Sequence, residues 1–97
     1  MELYAIRRRN GWKDGPALEA AAAKSAEEGD KMPSDVRWIR SYVLAEEDGT
    51  LGTICIYEAS SPEKIREHAA RVGMPADEIT VVADTVIVRP DPVAVAA

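Results

Sequence analysis

The 97-residue chain predicts an α+β fold of one domain: a four-stranded antiparallel sheet with two helices on one of its faces. Two observations predict it. Strand-like and helix-like runs follow one another as β-α-β-β-α-β, and both helical runs carry start and stop signals. The two central strand runs flank Asp48-Gly49. That pair is a strong short-hairpin signal, because a type I′ turn needs positive φ at both central residues.

From Glu2 to Arg8, Leu3, Ala5 and Arg7 alternate with Tyr4, Ile6 and Arg8, as in a strand whose faces are used differently. Asn10 to Gly15 reads as a polar loop holding Trp12. Pro16 opens a helix capped by Asp14 or Gly15, which runs to about Glu28 and ends at Gly29. Its inward stripe of Ala17 or Leu18, Ala21, Ala22 and Ser25 is small, so it packs closely but buries little area. Strands over Val36 to Leu44 and Thr53 to Glu58 form the hairpin. Ser61 before Pro62, or Ser60 with Glu63 as a capping box, starts a second helix. Its inward stripe is Ile65, Ala69 and Val72, and Gly73 ends it before Pro75. Glu78 to Val88 is a last β-rich run. Residues 1–88 thus form the domain, with 89–97 as a loose tail. The order matches the ferredoxin-like arrangement.

With Asp48-Gly49 as the loop, Tyr42 faces Cys55 and Arg40 faces Tyr57, and these share one face with Trp38. Ile39, Ser41 and Val43 share the other face with Ile54, Ile56 and Glu58, which reads as core. The first face then points away from the helices and exposes aromatic rings. An apolar face of that kind on a small protein marks an interface or a ligand surface. The expectation is a homodimer with its sheets face to face and a pocket between them.

Composition bounds the function. The formal net charge of −5 argues against general nucleic-acid binding, yet Arg7, Arg8, Arg9, Arg37 and Arg40 leave room for a local anion site. Alternation separates Arg8 from Arg7 and Arg9, and the acidic chain offers pairing partners. Cys55 is the single cysteine, so no internal disulfide forms and a cytoplasmic address is the simplest reading. No signal peptide and no membrane span are visible.

The candidate site residues are Trp38, Arg40, Tyr42 and Tyr57 for a ligand, with His68 and Glu58 for a metal. Trp38, Tyr42 and Tyr57 form either a pocket wall or a dimer contact. Arg40 can hold a carboxylate or enolate, or stack across strands on Tyr57. His68 can ligate a metal or move a proton near neutral pH, or bond to backbone as a half-buried core residue. Glu58 can orient His68, or pair with Arg66 or cap the helix start. Cys55 reads as an inert buried thiol.

Four segments together carry a family resemblance: Val36-Arg37-Trp38-Ile39-Arg40-Ser41-Tyr42-Val43, Cys55-Ile56-Tyr57-Glu58-Ala59, Ile65-Arg66-Glu67-His68-Ala69 and Gly73-Met74-Pro75-Ala76-Asp77-Glu78-Ile79. The chain resembles the DUF4242 family, also labelled nickel-binding protein, over residues 1–88. The resemblance implies a ferredoxin-like fold, a dimer of the dimeric α/β-barrel type and a metal, nickel, as cofactor. The Gly-x-Pro position that can carry a second imidazole is Met74 here.

The function expected from these residues is a small homodimer binding a small ligand or a metal ion at the sheet and dimer face. Two other classes remain open. One is a cofactor-free monooxygenase- or isomerase-like enzyme on an aromatic or polyketide-like substrate, with Arg40 on an enolate and His68 moving a proton. The other is a structural or regulatory dimer without a site.

Overall fold

The structure is a computed structural model that describes residues 1–92. Six elements follow in chain order: β1 (Glu2–Trp12), α1 (Gly15–Asp30), β2 (Val36–Ala45), β3 (Leu51–Ala59), α2 (Pro62–Val72) and β4 (Glu78–Val81). The strands form one antiparallel sheet in the order β2-β3-β1-β4. This is the expected ferredoxin-like α+β arrangement.

The helix ends follow their chemistry. Asp14 caps α1, its carboxylate accepting from Ala17 N, and Ser61 caps α2 through Lys64 N. Gly73 ends α2 in the left-handed region at φ +80, where only glycine sits without strain. Gly29 does not end α1, which runs on to Asp30 with Lys31 as its cap. A Cβ at Gly29 would lie 3.6 Å from His68 Nε2, at ordinary contact distance.

Strand β1 runs past Arg8 to Trp12, so the expected loop from Asn10 begins later. Regular pairing holds from Glu2↔Ala59 to Arg8↔Thr53 and then jumps to Trp12↔Leu51, a bulge. Asn10 sits inside it at φ +50. Glu46 braces the bulge, accepting from Asn10 N at 2.8 Å and from Arg7 Nη2 at 3.0 Å. Those contacts hold its carboxyl below the usual range, the Asn10 backbone bond first and the Arg7 bond second. Gly52 lies where the backbones crowd, since a Cβ there would sit 2.6 Å from Arg8 O.

The hairpin loop differs from the expectation. Glu46 N bonds to Thr50 O and Gly49 N to Glu46 O, with Gly49 at φ +86. This is a turn over Glu46–Gly49 closed by a left-handed glycine, and not a two-residue turn. Strand β4 is also shorter than the expected run to Val88. Val82 N still reaches Leu3 O, and the pairing with β1 goes no further. Of the expected tail, residues 93–97 lie outside the described residues. Asp91 is held across β2, accepting from Arg40 and Tyr42.

One face of the sheet meets both helices. It buries Tyr4, Ile6 and Arg8 of β1 and Thr53, Cys55, Tyr57 and Ala59 of β3, against Ile65, His68 and Ala69 of α2 and Ser25 of α1. Alternation sends Leu3, Ala5, Ile54 and Ile56 to the opposite face, where they are half-buried. Among the described residues no helix is long and apolar enough to cross a membrane.

Candidate functional site beneath the first helix

Tyr57 organises the helix-facing side. Its hydroxyl lies 3.0 Å from Ser25 Oγ, and burial pushes the phenol above its ordinary pKa, against smaller opposing effects of that bond and of Arg8. Trp38 stacks on Tyr57 with centroids 6.1 Å apart and planes 6° from parallel. His68 closes the other side at 5.6 Å, tilted by 53°. Such ring pairs add attraction beyond their buried area. A short relay fixes the indole: Trp38 Nε1 donates to Ser41 Oγ, which donates to Cys55 Sγ.

His68 is 1% exposed, and its Nε2 lies 2.9 Å from Ser25 O. A carbonyl only accepts, so Nε2 carries the proton and Nδ1 carries a lone pair. Nδ1 is buried and has no hydrogen-bond partner. Burial holds the imidazole below its usual pKa, partly offset by the Ser25 carbonyl and reinforced by the charge of Arg8. The ring is therefore neutral at pH 7.

Between the helices and the β2 edge lies a cleft of about 410 Å³, lined by Ser25, Gly29, Val36, Trp38, Tyr57 and His68 among others. A smaller pocket of about 30 Å³ shares Ser25, Trp38 and Tyr57 with it, and adds Arg8, Trp12, Cys55 and Met74. Ala21 and Ala22 of α1 also line it, so the small stripe of that helix leaves the space open.

Arg8 is 0% exposed. Its Nε donates to Pro75 O at 2.7 Å, while Nη1 and Nη2 are buried without partners. The guanidinium groups of its neighbours in the strand are paired on the other face: Arg7 with Glu46, and Arg9 with Glu78. The signal for Arg8 was present in the alternation, which groups it with Tyr4 and Ile6. Three consecutive arginines in an acidic chain nevertheless read as a paired, exposed run. Ser25 was placed on the inward stripe, but its bonds to Tyr57 and His68 come from elements distant in sequence.

The four expected ligand residues are not brought together. Trp38 and Tyr57 share the cleft, beneath the helices and not on the open face. Arg40 and Tyr42 lie on the opposite side of the sheet, 48% and 43% exposed, holding Asp91. The pairs Tyr42–Cys55 and Arg40–Tyr57 are replaced by Tyr42↔Ile54 and Arg40↔Ile56. The longer loop slips the register by one residue, which turns every side chain of that stretch to the other face. A second irregularity between Trp38 and Arg40 restores the phase, so Trp38 pairs with Tyr57. Arg40 and His68 therefore cannot act on one substrate atom across the sheet.

Glu58 also faces away from His68 and pairs with Arg37 at 3.0 Å. Among the described residues no three His, Cys, Asp or Glu side chains gather at metal-binding distance. Nickel needs several donors, and the single imidazole offers one free nitrogen in a buried position. These residues do not fit a nickel site within one chain.

A family model described as nickel responsive protein SCO4226-like matches residues 4–82. No curated protein matches. The crystal structure of SCO4226 from Streptomyces coelicolor A3(2) is similar to this chain with a TM-score of 0.65 at 22% identity. The match covers 87% of this chain and 99% of that one. At that identity the likeness speaks for the shared fold.

Proposed function

Because the chain belongs to the nickel responsive protein SCO4226-like family, we propose that it is a small homodimeric binding protein whose ligand is a small organic molecule held in the cleft beneath α1. The observation that carries this reading is the Trp38–Tyr57 stack walling about 410 Å³ of space with a neutral imidazole at its side. Ligand sites are concave, largely apolar and of about 300–1,000 Å³, with a few polar groups that fix orientation. Ser25, Tyr57 and His68 supply those groups.

Nickel is not assigned to this cleft. The family name is the reason to consider nickel, and the donor set is the reason to set it aside here. A face-to-face dimer does not repair it, because the sheet separates each His68 from the open face.

Thermal unfolding of the purified protein with small aromatic amides and acids (benzamide, phenylacetamide, benzoate, phenylacetate) tests the reading. Binding raises the melting temperature by mass action. Trp38 is 39% exposed, so Trp38→Ala leaves a folded chain and removes one wall. The expected result is a rise with the parent that disappears in Trp38→Ala. No rise with any of the four compounds, or an equal rise in the variant, overturns the reading.

A further inference from the structure

We propose that Arg8 anchors the carboxylate of an anionic ligand, with that ligand's organic body extending into the cleft walled by Trp38 and Tyr57. This rests on the cleft reading above and names its ligand class.

The argument starts from an unpaired charge. A guanidinium cannot shed its proton in a protein, so it cannot escape burial by neutralising. Arg8 is fully buried and uses only Nε, on Pro75 O. Its two terminal nitrogens, four N–H groups in a planar fork, have no partner. A buried charge without a counter-charge is strongly unfavourable, and an acceptor with two oxygens matches the fork in geometry and in charge.

No side chain of the described residues supplies that acceptor as an ion. The buried carboxylate on the helix side, Glu28, is committed to Lys24 and Lys31, and Glu46 and Glu78 are committed to Arg7 and Arg9. Tyr57 lies close enough to feel the charge, yet burial keeps its phenol protonated. His68 is neutral or cationic and so cannot compensate. The counter-charge therefore comes from outside the described residues.

The space has the matching shape. The pocket at Arg8 is about 30 Å³, room for a carboxyl group and not for a ring. It shares the lining residues Ser25, Trp38 and Tyr57 with the larger cleft, which has room for a ring or an aliphatic body. The indole and phenol rings then flank the apolar part.

Calorimetric titration at constant ionic strength compares benzoate and phenylacetate with their neutral amides, on the parent, Arg8→Met and Arg8→Lys. The expected result is at least tenfold tighter binding of the acids by the parent. Arg8→Met abolishes that preference and Arg8→Lys, which keeps the charge but not the fork, retains part of it. Arg8→Met also unfolds at or above the parent temperature without ligand, because an apolar side chain of similar shape replaces an unpaired ion. If Arg8→Met fails to fold, the parent ratio and the Arg8→Lys ratio decide. Equal affinity for acid and amide, or a preference that survives both substitutions, overturns the anion assignment and leaves the cleft reading standing. Absence of binding by acids and amides alike removes both.

Discussion

Tyr57→Phe tests whether the inner end of the cleft is dry and tightly paired. The substitution removes one oxygen and keeps the ring that stacks on Trp38 and His68. It deletes a buried hydrogen bond of 3.0 Å to Ser25 Oγ. A neutral bond contributes about 1 kcal/mol net, and a buried hydroxyl left unpaired costs about 1–3 kcal/mol. Ser25 sits within α1 and can swing back toward the carbonyl one turn earlier, which places the loss near the lower end, about 1–2 kcal/mol. For a domain of under about 100 residues, each kcal/mol lowers Tm by about 4–8 °C. Ser25→Ala strands the phenol hydroxyl instead and costs a similar amount. In the double variant both partners are apolar, so its loss falls short of the sum by about 1 kcal/mol. Far-ultraviolet circular dichroism during thermal and urea unfolding reads all four proteins without relying on the indole beside the mutated ring. Single losses under about 0.5 kcal/mol that simply add would refute the reasoning. They would mean that water in the cleft already satisfies both hydroxyls.

Two further outcomes follow from the geometry. The pKa of His68 is lowered in the folded state, so the unfolded chain takes up its proton first as pH falls. Stability contributed by the neutral ring is fully present above the unfolded value of about 6.5 and declines as pH drops from there toward the folded value. His68→Gln removes that decline, and unfolding curves between pH 7.5 and 5 that have the same slope for both proteins would contradict it. The homodimer is the second: light scattering reads twice the 10.5 kDa chain mass, and Ile56→Asp on the open face returns it to one. A parent at the single-chain mass rules out the face-to-face pairing.

The order of elements was legible because local signals set it. Asp14, Ser61 and Gly73 each act within one turn of the backbone, and the structure uses all three. The strand faces were not legible, because facing depends on pairing. Asp48-Gly49 announces a turn but not its length, and one added loop residue transfers Arg40 and Tyr42 across the sheet. Trp38 kept its expected companion Tyr57 only because a second irregularity offsets the first. Which side of the sheet the helices cover was a separate question. Cys55 and Tyr57 carry polar atoms and fall on the face read as pointing away from the helices, whereas Ile54 and Ile56 read as core. The burial is the reverse, since the polar atoms of Tyr57 and Cys55 find partners in Ser25 and Ser41. For Arg8 the alternation gives the face but not the partner: composition cannot tell which of three consecutive arginines lacks an acid.

The irregularity between Trp38 and Arg40 has a consequence for the protein in a crowded solution. β2 is a border of the sheet, ten residues long, and it carries the exposed apolar residues Trp38, Ile39, Tyr42 and Val43. A straight border of that composition would invite a second chain to zip along its free amides and carbonyls. The extra residue breaks the spacing of those groups midway and bends the rim, so no long ladder can form there. The opposite border, β4, is only four residues long. Neither rim is suited to runaway polymerisation.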